Sequence, residues 1–165
     1  VAAEKGSFKL RAEALLAVDE SSARIQRPRL TLGADWFQND LLLTVEAHYN
    51  GLGAEPGSNY IEERWSKHVL RGEQHLLGRW YLGALATYKL FETLSISGTT
   101  MVNLADPSML LTVALQYQLQ QDLELSAGAF TSLGKSPDGV YPFIEAESEF
   151  GLSGQMAYIQ LAAFF

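Results

Sequence analysis

Residues 29–49 read RLTLGADWFQNDLLLTVEAHY, and two independent features of this stretch agree. Leu30, Leu32, Ala34 and Trp36 recur at every second position before Asn39-Asp40, and Leu41, Leu43, Val45 and Ala47 do so after it. Successive side chains of a strand point to opposite faces, so each run has one apolar face. The other face carries Thr31, Gly33, Asp35, Thr44, Glu46 and His48. Asn-Asp is suited to the two-residue loop of a hairpin. If Gln38 pairs with Leu41, Trp36 meets Leu43, Ala34 meets Val45 and Leu32 meets Ala47. The same register sets Asp35 beside Thr44 and Gly33 beside Glu46. Turn and alternation therefore specify one hairpin in one register.

The same period extends in both directions. Upstream, Phe8, Leu10, Ala12, Ala14, Leu16 and Val18 form an apolar face opposite Lys9, Arg11 and Glu13. A polar loop over Asp19–Arg27 follows, and Pro28 starts the next strand. Downstream, a long strand over Glu73–Leu90 places Leu76, Gly78, Trp80, Leu82, Ala84, Ala86 and Tyr88 on one face, with His75, Arg79, Tyr81, Thr87 and Lys89 on the other. Further alternating runs occupy 94–103, 109–119, 123–129 and 155–165. Short turns near residues 39, 92 and 121, together with a tight connection at Ala105–Ser108, separate them from their neighbours. The long segments Asn50–Gly72 and Gly134–Gly154 remain as loops. Within the first, Asn59 and Glu62 have capping-box spacing, and Ile61, Trp65 and Val69 share one helical face. The expectation is an eight-stranded antiparallel up-and-down sheet forming a single domain over residues 1–165, with the short turns at one end and the longer loops at the other.

Composition narrows the class. The chain is 47% hydrophobic, yet no uninterrupted apolar run approaches the ~20 residues of a membrane helix. A net charge of −7 argues against nucleic acid as the partner. No Gly-x-Ser-x-Gly, His-Glu-x-x-His or phosphate-binding loop is present, and nothing calls for a cofactor or a metal.

The closing stretch Gln155–Phe165, QMAYIQLAAFF, is a strand ending on an aromatic, and it resembles the C-terminal strand of Gram-negative outer-membrane β-barrels. The stretches RGEQHLLGRWYLGALATYKL, LSISGTTMVNLADPS and MLLTVALQYQLQQDLELSAGAFTSLG are similar in texture to the C-terminal strands of longer, porin-like barrels. The resemblance implies a transmembrane β-barrel with short periplasmic turns and longer extracellular loops. It also implies outer-membrane localisation, a surround of outer-membrane lipid and lipopolysaccharide, and Phe165 as the signal read by the barrel-assembly machinery. Phe8, Trp36, Tyr88, Tyr117 and Phe165 gather near the periplasmic end of the apolar faces, as an interfacial aromatic girdle would. The competing architecture is a soluble barrel of the lipocalin kind, with the apolar faces turned inward.

Lys9, Arg11, Arg79 and Lys89 share the inward faces with Glu13, Asp35, Glu46 and Glu124, four charges of each sign. One sign in excess would suggest an ion-selective constriction, whereas a balanced set suggests a charge network filling a narrow lumen. His48 and His75 point inward on adjacent strands, but His48 falls beside about Gly83. That leaves His75 roughly 25 Å higher at ~3.3 Å per residue. The expected function is non-enzymatic: a structural barrel or narrow passive pore. The alternatives are a set of C-terminal strands of a larger porin-like channel, and an outer-membrane lipid hydrolase. Self-closure, by pairing the last strand antiparallel with the first, is the favoured arrangement.

Overall fold

The computed structural model describes residues 2–16, 18–19, 24–25, 28–55, 58–140 and 143–164. In chain order the strands are β1 (Ala2–Lys5), β2 (Phe8–Leu15), β3 (Val18–Asp19), β4 (Arg24–Ile25), β5 (Arg29–Gln38), β6 (Leu41–Asn50), β7 (Trp80–Phe91), β8 (Leu94–Asn103), β9 (Ser108–Gln120), β10 (Leu123–Leu133), β11 (Asp138–Val140), β12 (Phe143–Glu145) and β13 (Met156–Ala163). Two short helices, α1 (Tyr60–Arg64) and α2 (Lys67–Leu70), lie between β6 and β7. Nine strands form one sheet in the order β1-β2-β5-β6-β7-β8-β9-β10-β13, every pairing antiparallel, while β3–β4 and β11–β12 are separate two-stranded ribbons.

The hairpin at Asn39-Asp40 has the register that its alternation specifies: Gln38↔Leu41, Trp36↔Leu43, Ala34↔Val45, Asp35↔Thr44, Gly33↔Glu46 and Leu32↔Ala47. Asn39 takes φ 52°, the left-handed conformation that asparagine tolerates in such turns. Three features depart from expectation. A ninth strand, β1, lies on the outer edge of β2 through a turn at Gly6-Ser7 in which Gly6 has φ +62°. The long fourth strand begins at Trp80, not Glu73, because Leu77 O accepts from Ala54 N in the preceding loop and Leu77 N and Gly78 N donate to Glu149. The sheet is also open: β13 pairs with β10, β1 pairs with β2, and the two edge strands do not meet.

The faces differ in kind. One carries Phe8, Leu10, Leu32, Val45, Leu82, Val113, Leu115, Ile159 and Leu161, all exposed, with Ile159 at 81% and Leu161 at 63%. The other carries the polar residues and is concave. A hollow of about 550 Å³ is lined at once by Phe37 and Leu42 from β5 and β6 and by Gln116, Gln118 and Glu124 from β9 and β10. Strands ~4.8 Å apart could not share one hollow across that span unless the sheet curled toward its polar side. This curl is opposite to that of a lipocalin-type barrel.

Aromatics occur at both ends of the apolar face. Phe8 and Trp36 face each other across β2 and β5 at 6.4 Å, and Tyr88 and Tyr117 stand opposite Leu41 and Leu94, the first residues after two of the short turns. At the far end Tyr49 and Trp80 lie 4.4 Å apart, a second aromatic pair on the apolar face. Phe165 lies outside the described residues, as does most of the Asp19–Arg27 loop.

Candidate functional site

The cluster of fully buried side chains lies at the end of the sheet away from the short turns. There the two long loops fold onto the upper ends of β7, β8 and β9 and form a cap. Asn59 is the N-cap of α1, but its side chain accepts from Ile61 N at 3.2 Å and not from Glu62 N as a capping box would have it. The helix ends at Trp65, and Ser66 starts α2 by accepting from Val69 N at 3.5 Å. Ser66 interrupts the single helical face expected of 61–69. Ile61 and Val69 still pack on Ala54, Tyr60, Leu77 and Ala146, while Trp65 is left 72% exposed.

The two loops are joined by backbone and side-chain bonds. Tyr60 N donates to Ala146 O at 2.9 Å, Ala146 N donates to Asn59 Oδ1 at 3.0 Å, and Asn59 Nδ2 donates to Ile144 O at 3.4 Å. The first loop also folds back on itself, with Ala54 N donating to Leu77 O at 2.7 Å. A Cβ on Gly53 would sit 1.9 Å from Gly78 O, so this approach requires glycine.

Glu149 joins the cap to the sheet. Its Oε1 accepts from Leu77 N at 2.8 Å, and its Oε2 accepts from Asn103 Nδ2 at 2.8 Å, from Gly78 N at 3.3 Å and from the Tyr81 hydroxyl. Asn103 Nδ2 also donates to the Tyr60 hydroxyl at 3.1 Å. Glu149 N donates to Asp106 Oδ2 at 3.2 Å, and Phe150 N to Ser108 Oγ at 3.4 Å. Burial pushes the Glu149 carboxyl above its ordinary range, against the pull of these hydrogen bonds. Burial and the neighbouring Asp106 carboxylate likewise push the Tyr60 phenol up.

Beneath the cap lies a cavity of about 360 Å³ in the concave face. It is lined by Arg11, Glu13, Thr31, Glu46, His48, Tyr81, Gly83 and Met101 from five strands and by Leu76 from the loop. Arg11 is its charged centre. Its guanidinium lies 3.1 Å from Asp35 and 3.6 Å from Glu46, over Gly33, and Thr44 donates to Asp35 at 2.8 Å. His48 is hydrogen-bonded to Thr31 at 3.0 Å and stands opposite Tyr81, not Gly83.

Of the eight charges expected in one network, the structure joins Arg11, Asp35 and Glu46. Glu13 lines the same cavity, and Lys9, the cross-strand partner of Asp35, lines the hollow below it. Lys89 and Glu124 both line the large hollow near the short turns. Arg79 belongs to the cap, where its guanidinium pairs with Glu55 at 3.0 Å and donates to Gly53 O. His75 is exposed in the loop and takes no part in the cavity that holds His48. No group of three or more metal-ligating side chains occurs among the described residues. No motif marks Glu149, Asn103, Tyr60 and Asp106 in the sequence, yet they form a buried, hydrogen-bonded polar cluster.

Compared with known proteins, the chain matches no family model, no curated protein and no solved structure.

Proposed function

We propose that this chain is part of the wall of a β-barrel in the bacterial outer membrane, non-enzymatic, serving as a passive pore whose outer mouth is narrowed by the cap. The observation that carries this reading is the inverted polarity of the curled sheet. Soluble monomers rarely expose a contiguous apolar surface of more than a few hundred Å², yet here an apolar convex face runs across the eight strands from β2 to β13 of the sheet while their charges sit in the concavity. Between the levels of Tyr88 and Tyr49, β6 rises by eight residues, Leu41 to Tyr49. That is roughly 27 Å along the strand, or roughly 20 Å of height at a tilt of ~40°, close to the ~25 Å apolar band of outer-membrane barrels.

The closed eight-stranded barrel expected from the sequence requires β13 to pair with β2. β1 already occupies that edge of β2. The reading that fits the nine-stranded open sheet is a larger, porin-like barrel to which these strands contribute. In such a barrel the Arg11–Asp35–Glu46 cluster lines a wet wall instead of filling a narrow lumen. The loop from Gly51 to Arg79, through Leu76, supplies the constriction. His48, held by Thr31, does not assemble with His75, so no observation favours the hydrolase alternative.

Expression in a Gram-negative host followed by density fractionation and urea extraction tests this reading. The protein is expected to accompany outer-membrane lipid and lipopolysaccharide and to resist extraction. A urea-soluble monomer that stays dispersed in plain buffer would refute it. Deleting Phe165 is expected to reduce assembly in cells far more than refolding into detergent.

A further inference from the structure

The directions of the two edge strands are informative. β1 ends at Lys5, paired with Phe8 beside the Gly6-Ser7 turn, so β1 runs from the cap end toward the short-turn end. β13 ends at Ala163, paired with Leu123 just after the turn at Gln121-Asp122, so it runs the same way. An up-and-down sheet with an odd number of strands always has this property. Pairing β13 with β1 would therefore be parallel, in a sheet whose every other pairing is antiparallel. Copies of the chain standing side by side with their caps on the same side would meet in the same parallel way. An inverted copy would put its cap at the opposite rim.

The β13 edge is not protected against pairing, whereas β1 is short and carries Glu4 and Lys5. β13 presents eight residues, MAYIQLAA, without a charge or a proline, and Ile159 is the most exposed residue on the apolar face. Sheets that end in water blunt such edges with lysine, proline or bulges. In lipid, the free N–H and C=O groups of an edge have no water to bond, so spanning sheets close completely.

We propose that the edges of β13 and β1 are bridged by a run of further strands, odd in number, with the same polar-in and apolar-out alternation. The two outermost strands of that run ascend toward the cap end, as β2 and β10 do. The bridging strands are not a second copy of this chain. An odd addition makes the total even and every junction antiparallel. The inference rests on the proposed barrel function for the need to close, but the parity follows from the strand directions alone.

The test appends strands of known sequence after Phe165. One variant carries a turn and a second Leu123–Leu133 segment, another adds a second Met156–Ala163 segment to that, and a third adds one more ascending strand. Amide hydrogen exchange is read in detergent micelles. The β1 edge amides are expected to be unprotected in the parent chain and in the two-strand variant, and slowed at least tenfold in the one-strand or three-strand variant. Protection of β1 in the parent or in the two-strand variant, or in none of the variants, would overturn the proposal. So would efficient disulfide formation in an Ala3→Cys/Ile159→Cys double variant of the parent, within or between chains. The chain has no native cysteine to confuse that result. Because exchange is read in micelles and the barrel function in cell fractionation, either can fail without the other.

Discussion

The sheet and its cap solve burial in opposite ways. Along the sheet, side chains on the convex face are apolar and exposed, and those on the concave face are polar and line open hollows. The strands are held to one another by their backbone ladders and have no core of their own. The cap carries the molecule's buried centre. Ala54, Tyr60, Leu77 and Ala146 pack together, and a carboxylate among them is surrounded by donors. The cap buries its own apolar and charged groups against the ends of the strands, whereas the sheet depends on what lies against its convex face.

Substitutions can break that contrast where it is sharpest. Val113 lies midway along β9, on the convex face between Gly98 and Ala129, and is 45% exposed. In water, Val113→Arg there would be nearly neutral. In a bilayer it is expected to cost about 2–4 kcal/mol, measured as reduced unfolding free energy in lipid vesicles compared with unchanged stability of the cap. A neutral result would remove the membrane from the comparison.

The next largest effects belong to the cap. Glu149→Gln replaces an acceptor with an amide that turns N–H groups toward other donors, and is expected to cost about 1–3 kcal/mol. Gly53→Ala drives a methyl into Gly78 O and is expected to cost a similar 1–3 kcal/mol by overpacking. Both should appear as faster amide exchange at Tyr60 and Ala146, with the β9–β10 ladder unchanged. Simultaneous loosening of that ladder would show that the two regions are one cooperative unit.

A smaller effect is expected from pH. In the folded cap the Glu149 carboxyl titrates above its value in the unfolded chain, so the folded cap binds that proton more tightly. Its stabilising contribution is therefore full below the ordinary glutamate range. It declines as pH rises through the raised value and is level beyond it. Protection of the Tyr60 and Ala146 amides, corrected for intrinsic exchange, should be greater at pH 5 than at pH 8, and Glu149→Gln should flatten that difference. The least effect belongs to Arg11→Met. The Arg11 pairs with Asp35 and Glu46 are partly solvated, so their loss should change stability by less than about 1 kcal/mol, while altering the charge selectivity of any current carried past them.

The same contrast governs how much the sequence disclosed. The hairpin register around Asn39-Asp40 was readable residue for residue, because strand pairing across a two-residue turn is local and alternation fixes the faces. β1 is not legible in the sequence because AAEK is too short to show a period. The start of β7 reads seven residues early because 73–79 continues the alternation of Trp80–Leu90, although Leu77 and Gly78 bond to the loops. The cap was invisible for a different reason. Glu149 meets Leu77, Tyr81 and Asn103 across separations of 46 to 72 residues, and no period links them. The available signals are weak ones: three glutamates in the small-residue stretch EAESEFG, and glycines at 53, 78, 134 and 151, where a Cβ would clash.

On the concave face near the free edge, Tyr158 of β13 lies across its partner Gly128 of β10, so that a Cβ on Gly128 would be 2.8 Å from the ring. A slip of one residue would turn Tyr158 outward, and a slip of two would press the ring onto Ser126 or Phe130. The interlock thus sets the height of β13 from its inner side alone. During assembly the strand can stand at its final level as a finished template before any outer neighbour arrives, and the newcomer inherits its alignment instead of having to negotiate it.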